Sequence, residues 1–123
     1  MLKLRIEVDP VPASRPRISG RRMYQPARNV EYREVIQCQA RLAMKGAAPL
    51  LGALTVRVKL YRKSSPTARN YGDVDNHLKG ILDALTGIVF ADDAQIVQCV
   101  VTKHKEREKP RVEIEIGPAA AEC

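Results

Sequence analysis

Four residues between positions 73 and 93 have the types and spacing to act on a phosphate ester. Asp73 and Asp75 flank a valine at the start of an amphipathic segment, Lys79 follows one helical turn later, and Asp93 lies in the turn beyond. Mg²⁺ takes carboxylate oxygens while it retains water and shares phosphate oxygens with its substrate, and a nearby amine can stabilise developing negative charge. The pattern predicts that these groups meet at one end of a helix, as a metal site for phosphodiester hydrolysis.

Each of these residues also has an ordinary structural explanation. Aspartate at a helix start often caps free N–H groups, and aspartate is common in turns, which is the default interpretation for Asp92. Lys79 could form an exposed ion pair with Asp75 or Asp83, worth less than about 1 kcal/mol. Capping alone does not account for two aspartates, a lysine one turn on and a second acidic pair. Asp93 shares the side-chain parity of the strand that follows, so it is the better candidate ligand of that pair.

The charge of the chain favours a polyanionic partner. Its 21 Lys and Arg residues exceed its 14 Asp and Glu residues and give a net charge of +7. Cations are concentrated in residues 15–28, 57–69 and 103–111, whereas carboxylates are concentrated in residues 73–93. An acidic pocket surrounded by basic residues is the charge arrangement that a metal-dependent nuclease needs. The cations predicted to contact DNA are Arg15, Arg17, Arg57, Lys59, Arg69 and Lys103.

Length and composition limit the class of protein. The 123 residues suit one compact domain over residues 1–123. The sequence has no run of about 18 apolar residues, so it predicts no membrane-spanning helix. Charged residues alternate with apolar ones at the N-terminus, unlike a signal peptide, so we expect a soluble, cytoplasmic protein. The three cysteines are too widely spaced for a disulfide framework or a zinc site, and Cys38 and Cys99 are predicted to be buried.

Hydrophobic periodicity predicts six elements in the order β-α-β-α-β-β. The predicted strands cover residues 2–8, 54–61, 94–101 and 111–116, and the predicted helices cover residues 29–45 and 74–86. Residues 10–27 are rich in proline and arginine, which predicts an extended basic loop. In the third strand Val97, Cys99 and Val101 should point inward, and in the second helix His77 should face solvent. The expected fold is α+β, a single domain with a mixed β-sheet packed against two helices.

A resemblance to the RusA family of Holliday-junction resolvases covers most of the chain. It is carried by Gly72-Asp73-Val74-Asp75-Asn76-His77-Leu78-Lys79, then Asp83-Ala84-Leu85, then Asp92-Asp93-Ala94-Gln95-Ile96-Val97. The segment Pro12-Ala13-Ser14-Arg15-Pro16-Arg17 and the order of elements are also similar to the family.

The resemblance implies a homodimeric, Mg²⁺-dependent endodeoxyribonuclease, with Mn²⁺ as an alternative ion. Such an enzyme would bind four-way DNA junctions and make paired, symmetric nicks during recombination and repair. By motif position, the family's site residues fall on Asp73, Asp75 and Asp93 for the metal and on Lys79 for catalysis. A known family member has a basic residue where this chain has Gly72, and Arg69 is the candidate for that phosphate contact.

Three other functions fit parts of this pattern. A nuclease with the same site could cut flaps, forks or loops as well as junctions, and a basic protein could bind branched DNA without cleaving it. An Asp-x-Asp motif also binds metal–diphosphate complexes in unrelated nucleotide enzymes. The absence of a Gly-rich phosphate loop and the small size of the chain argue against this last function.

Overall fold

The predicted order of elements is confirmed, and a small hairpin is added to it. The computed structural model describes residues 1–13, 17–19, 22–24 and 26–119, with side chains for residues 1–13 and 26–119. Its elements are β1 (Leu2–Ile6), β2 (Arg17–Ser19), β3 (Arg22–Tyr24), α1 (Ala27–Met44), β4 (Leu54–Arg62), α2 (Val74–Leu85), β5 (Ile96–Lys105) and β6 (Arg111–Pro118). Neither α1 nor α2 is long and apolar enough to cross a membrane.

The main sheet is mixed, as predicted, with the strand order β1-β6-β4-β5. β6 runs antiparallel to both β1 and β4, whereas β5 runs parallel to β4. A parallel pair cannot be joined by a hairpin, so the chain crosses from the end of β4 to the start of β5 through α2. This crossover places the two ends of α2 at opposite ends of the sheet.

Both helices cover one face of this sheet and share one hydrophobic core. On β4, Leu54, Val56, Val58 and Leu60 are buried, as the alternation predicts. α1 packs against β1 and α2, and α2 packs against β5. α2 and β5 therefore form one flank of the molecule. β5 is an edge strand of the main sheet, since β4 is its only neighbour there.

The basic segment contains a two-stranded hairpin that the sequence did not predict. β2 and β3 pair antiparallel, with Arg17 opposite Tyr24. Four prolines in residues 10–27 disfavour a central strand but permit a short, separate ribbon.

Predictions of burial were wrong for Cys38, Cys99 and Val97. Cys38 and Cys99 are both exposed. The buried residues of α1 are Tyr32, Ile36, Ala40 and Met44, which leaves Cys38 on the opposite side of the helix. β5 is an edge strand, so its start is open to solvent: Val97 is 63% exposed, and of the three residues expected to point inward only Val101 packs against the core.

Candidate active site

The first turns of α2 carry three of the predicted site residues together. Asp73 is the N-cap, Asp75 lies in the first turn and Lys79 follows one turn later, and all three are exposed. The carboxylate of Asp73 makes no capping hydrogen bond, so helix capping does not account for it. Among the described side chains, no carboxylate forms an ion pair with Lys79. The positive end of the helix dipole favours negative charge, so a phosphate at this position would be stabilised.

The two residues of the second acidic pair, Asp92 and Asp93, make different contacts. Asp92 accepts a hydrogen bond from Ala94 N–H at 2.9 Å, and the side chain of Gln95 accepts one from Asp92 N–H at 3.2 Å. Asp92 therefore has the turn role that the sequence predicts. Asp93 is exposed, and a hydrogen bond to the Asp92 carboxyl raises the pKa of Asp93 above its ordinary value, with the negative charge of Asp83 adding to the effect. A cation bound at Asp93 would offset this crowding of negative charge.

In the folded structure of one chain, Asp93 lies far from Asp73. The 12 residues of α2 separate the two by about 18 Å, at a rise of about 1.5 Å per residue. Asp83, whose charge acts on Asp93, belongs to the last turn of α2, whereas Asp73 precedes its first. Within the part of the chain that the structure describes, no three His, Cys, Asp or Glu side chains are grouped to hold a metal ion.

The expectation that all the carboxylates meet at one end of the helix is therefore wrong for a single chain. Its physical reason is the crossover through α2, which makes β5 parallel to β4. The pattern of residues does not give the direction of a strand relative to its neighbours. The roles of Asp73, Asp75, Asp93 and Lys79 remain predictions.

His77 is the functional candidate that sequence reasoning misplaced. It was expected to face solvent, but it is completely buried, and burial lowers the pKa of His77 from its usual 6.5. Its Nε2 lies 2.5 Å from the carbonyl oxygen of Tyr71. The signal was present in the sequence: His77 stands four, seven and eight residues before Ile81, Ala84 and Leu85, which form the buried face of α2.

Tyr71 ties the segment before Asp73 to the sheet. Its hydroxyl lies 2.7 Å from the carbonyl of Leu60 on β4 and 2.6 Å from that of His104 on β5, and it accepts a hydrogen bond from His104 N–H. The ring is buried and meets the ring of His77 edge-on. The base of the site is thus fixed to two strands of the sheet.

The predicted DNA contacts whose side chains are described fall into two groups, of which the first, Arg69 and Lys103, lies near Asp73. Arg15 is outside the described residues, and Arg17 is in β2 with its side chain not described. The segment that leads to them is held beside the first turn of α2, because Ala13 N–H donates to the carbonyl of Asn76 at 3.0 Å. Arg69 is exposed three residues before Gly72, and Lys103 donates to the Gly72 carbonyl at 3.1 Å.

The second group lies on the face of the sheet opposite the helices. Arg57 and Lys59 alternate there with the buried residues of β4. Arg57 stands opposite Glu115 of β6, and Lys59 stands opposite Glu113. These two cations therefore add less net positive charge to that face than the sequence of β4 alone suggests.

A basic α+β domain is a candidate phosphodiesterase when carboxylates at a helix N-terminus have no capping or ion-pair partner among the described residues. The chain matches the sequence profile of endodeoxyribonuclease RusA over residues 7–117. It belongs to the RusA family of endodeoxyribonucleases, hydrolases that cut DNA internally. It is also similar to the uncharacterized protein YqaN of Bacillus subtilis (strain 168), with 28% identity over 141 aligned positions that cover 98% of each chain.

Proposed function

We propose that this protein is a divalent-metal-dependent endodeoxyribonuclease that resolves four-way DNA junctions as a homodimer. The observation that carries the proposal is the exposed group of Asp73, Asp75 and Lys79 at the N-terminal end of α2, in a chain of this family. Branched DNA is the proposed substrate, and the cytoplasm is the proposed location.

The donor set fits a hard divalent cation such as Mg²⁺, with Mn²⁺ as an alternative. Asp73 and Asp75 offer carboxylate oxygens that no capping or ion-pair contact occupies among the described residues. Bound there, the ion supplies Lewis acidity and a water of lowered pKa. Asp73, Asp75 and Asp93 would hold it, and Lys79 would stabilise the negative charge that develops on the phosphate.

Dimerisation completes the site in this proposal. Asp93, the third predicted ligand, lies at the far end of α2 from Asp73 and Asp75. A two-fold axis perpendicular to α2 and β5, at their exposed flank, would make those elements antiparallel to their copies and bring opposite ends together. Each site would then combine Asp73, Asp75 and Lys79 of one subunit with Asp93 of the partner subunit.

The flank formed by α2 and β5 has the charge and exposure for such a contact. β5 is an edge strand with Val97 and Val100 exposed, and an open edge can pair with another strand. Its start is acidic, at Asp92 and Asp93, and its end is basic from Lys103 onward. An antiparallel copy would place the acidic start of one strand against the basic end of the other.

Two sites related by two-fold symmetry suit paired nicks in a symmetric junction. Each site would act on one of two opposing strands, while Arg69 and the basic segment with Arg15 and Arg17 hold the phosphate backbone. Contacts of this kind are independent of base sequence and weaken steeply with salt.

The proposal predicts selective, metal-dependent cleavage of a four-way junction. The purified protein is incubated with an end-labelled junction and, separately, with linear duplex, fork and flap, in Mg²⁺ or EDTA, alongside Asp75→Asn. We expect symmetric nicks in the junction that require Mg²⁺ and disappear in the variant, since an asparagine side chain lacks the negative charge of the aspartate ligand.

Two other results would replace the proposal. Equal cutting of the junction, fork and flap would indicate a nuclease of broader substrate range. Tight junction binding without metal-dependent cleavage would indicate a protein that recognises branched DNA and does not hydrolyse it.

A further inference from the structure

Three side chains from three elements hold the backbone immediately before Asp73. Arg62 at the end of β4 donates to the carbonyls of Asn70 and Tyr71, at 2.7 and 3.1 Å. Lys103 of β5 donates to the next carbonyl, that of Gly72, at 3.1 Å. His77 of α2 approaches the middle carbonyl from within the core. Consecutive carbonyls of an exposed connection are thus anchored to both neighbouring strands and to the helix.

The role of His77 at that carbonyl follows from hydrogen-bond chemistry. A carbonyl oxygen only accepts, so Nε2 of His77 carries the proton and donates it to Tyr71. Nδ1 is then the unprotonated nitrogen, and it is buried without a hydrogen-bond partner among the described residues. Leucine at position 77 would fill the core without leaving a polar atom unsatisfied. The histidine is therefore best explained by the bond that its Nε2 makes.

The position of Gly72 shows how closely this segment is fitted to the histidine. Its φ of +91° and ψ of 160° lie in a region that is open essentially to glycine alone. A Cβ at this position would lie 2.8 Å from the ring of Pro12 and 3.0 Å from Nε2 of His77. The segment enters α2 in one conformation, and in that conformation the Asp73 carboxylate does not cap the helix.

We propose that His77 is a positioning residue that holds the Tyr71 carbonyl, so that the Asp73 carboxylate points outward to bind the ion instead of capping α2. The part of this inference that concerns the ion rests on the proposed function, whereas the part that concerns the backbone does not. Groups that orient metal ligands typically change metal affinity by 10- to 100-fold when they are removed.

The test compares two replacements of His77 in the 123-residue chain. His77→Leu removes the donor, and His77→Gln keeps an N–H group near the position of Nε2. Ile81→Val is the control, because Ile81 lies one turn further along the same buried face and donates to nothing. Calorimetric titration with Mn²⁺ measures metal affinity, and amide hydrogen exchange measures the order of residues 71 and 72.

We expect His77→Leu to weaken Mn²⁺ binding by about 10- to 100-fold. We also expect it to speed amide exchange at Tyr71 and Gly72 by at least about tenfold, while exchange at the far end of α2 is unchanged. His77→Gln should restore both properties, and Ile81→Val should alter neither. Unchanged exchange in His77→Leu, or equal losses in Ile81→Val, would overturn the inference. If the wild-type protein binds no Mn²⁺, the proposed function fails, and the exchange data still decide whether His77 holds the backbone.

Discussion

Asp93→Asn should reduce junction cleavage by about a thousandfold, as much as Asp75→Asn, since loss of a ligand forfeits several kcal/mol of transition-state stabilisation. Within one chain this result would be unexpected, because the length of α2 lies between Asp93 and Asp75. It follows if Asp93 serves the site of the partner subunit. The measurement is the single-turnover cleavage rate of a labelled junction at saturating protein.

Asp92→Asn is the matched control for Asp93→Asn. It removes the same charge at the neighbouring position, yet asparagine is as good a cap as aspartate and can still accept the hydrogen bond from Ala94 N–H. Its cleavage rate should stay close to that of the wild type. Equal losses in Asp92→Asn and Asp93→Asn would instead show that the acidic turn acts through its overall charge or shape.

Gly72→Ala should destabilise the folded protein by about 3 kcal/mol, the sum of an unfavourable backbone conformation and overpacking. The new Cβ would lie 2.8 Å from Cβ and Cγ of Pro12, and 3.0 Å from Nε2 of His77. Neither neighbour is free to move, since Pro12 accepts a hydrogen bond from Asn29 and His77 is buried in the core. Urea unfolding followed by circular dichroism measures the change in the free energy of unfolding.

Gly46→Ala separates the two causes of this loss. Gly46 also has a positive φ, of +78°, but a Cβ there would meet nothing within 4 Å. We expect it to cost only about 1 kcal/mol, the backbone contribution alone. If Gly72→Ala costs no more than Gly46→Ala, the segment before Asp73 is not packed as tightly as its contacts indicate.

The strands and helices could be predicted from the sequence because their signals are local. The alternation of Leu54, Val56, Val58 and Leu60 gave β4 and its buried face, and the order of elements gave the fold class. The position of β5 at the edge could not be predicted, since it depends on which distant strand lies beside it. The exposure of Cys99 and Val97 follows from that position.

The elements that carry the candidate site residues could be predicted from the sequence, but the arrangement of these residues in space could not. Spacing placed Asp73, Asp75 and Lys79 on the first turns of α2, and turn chemistry separated Asp92 from Asp93. The distance between the two acidic groups depends on the direction of β5, which is a property of the whole sheet. The proposed sharing of one site between two subunits cannot be indicated by the periodicity of a single chain.

Heterodimers of two inactive variants give the most direct test of the shared site. Asp75→Asn and Asp93→Asn subunits carry different affinity tags, are refolded together, and the doubly tagged dimers are isolated. One site of each heterodimer then carries both substitutions, and the other site carries neither. The Asp73→Asn and Asp75→Asn pair is the control, because both of its sites lack a ligand wherever Asp93 comes from. We predict that the first heterodimer nicks one strand of each junction while the control heterodimer is inactive. Inactivity of both heterodimers would contradict a site shared between subunits.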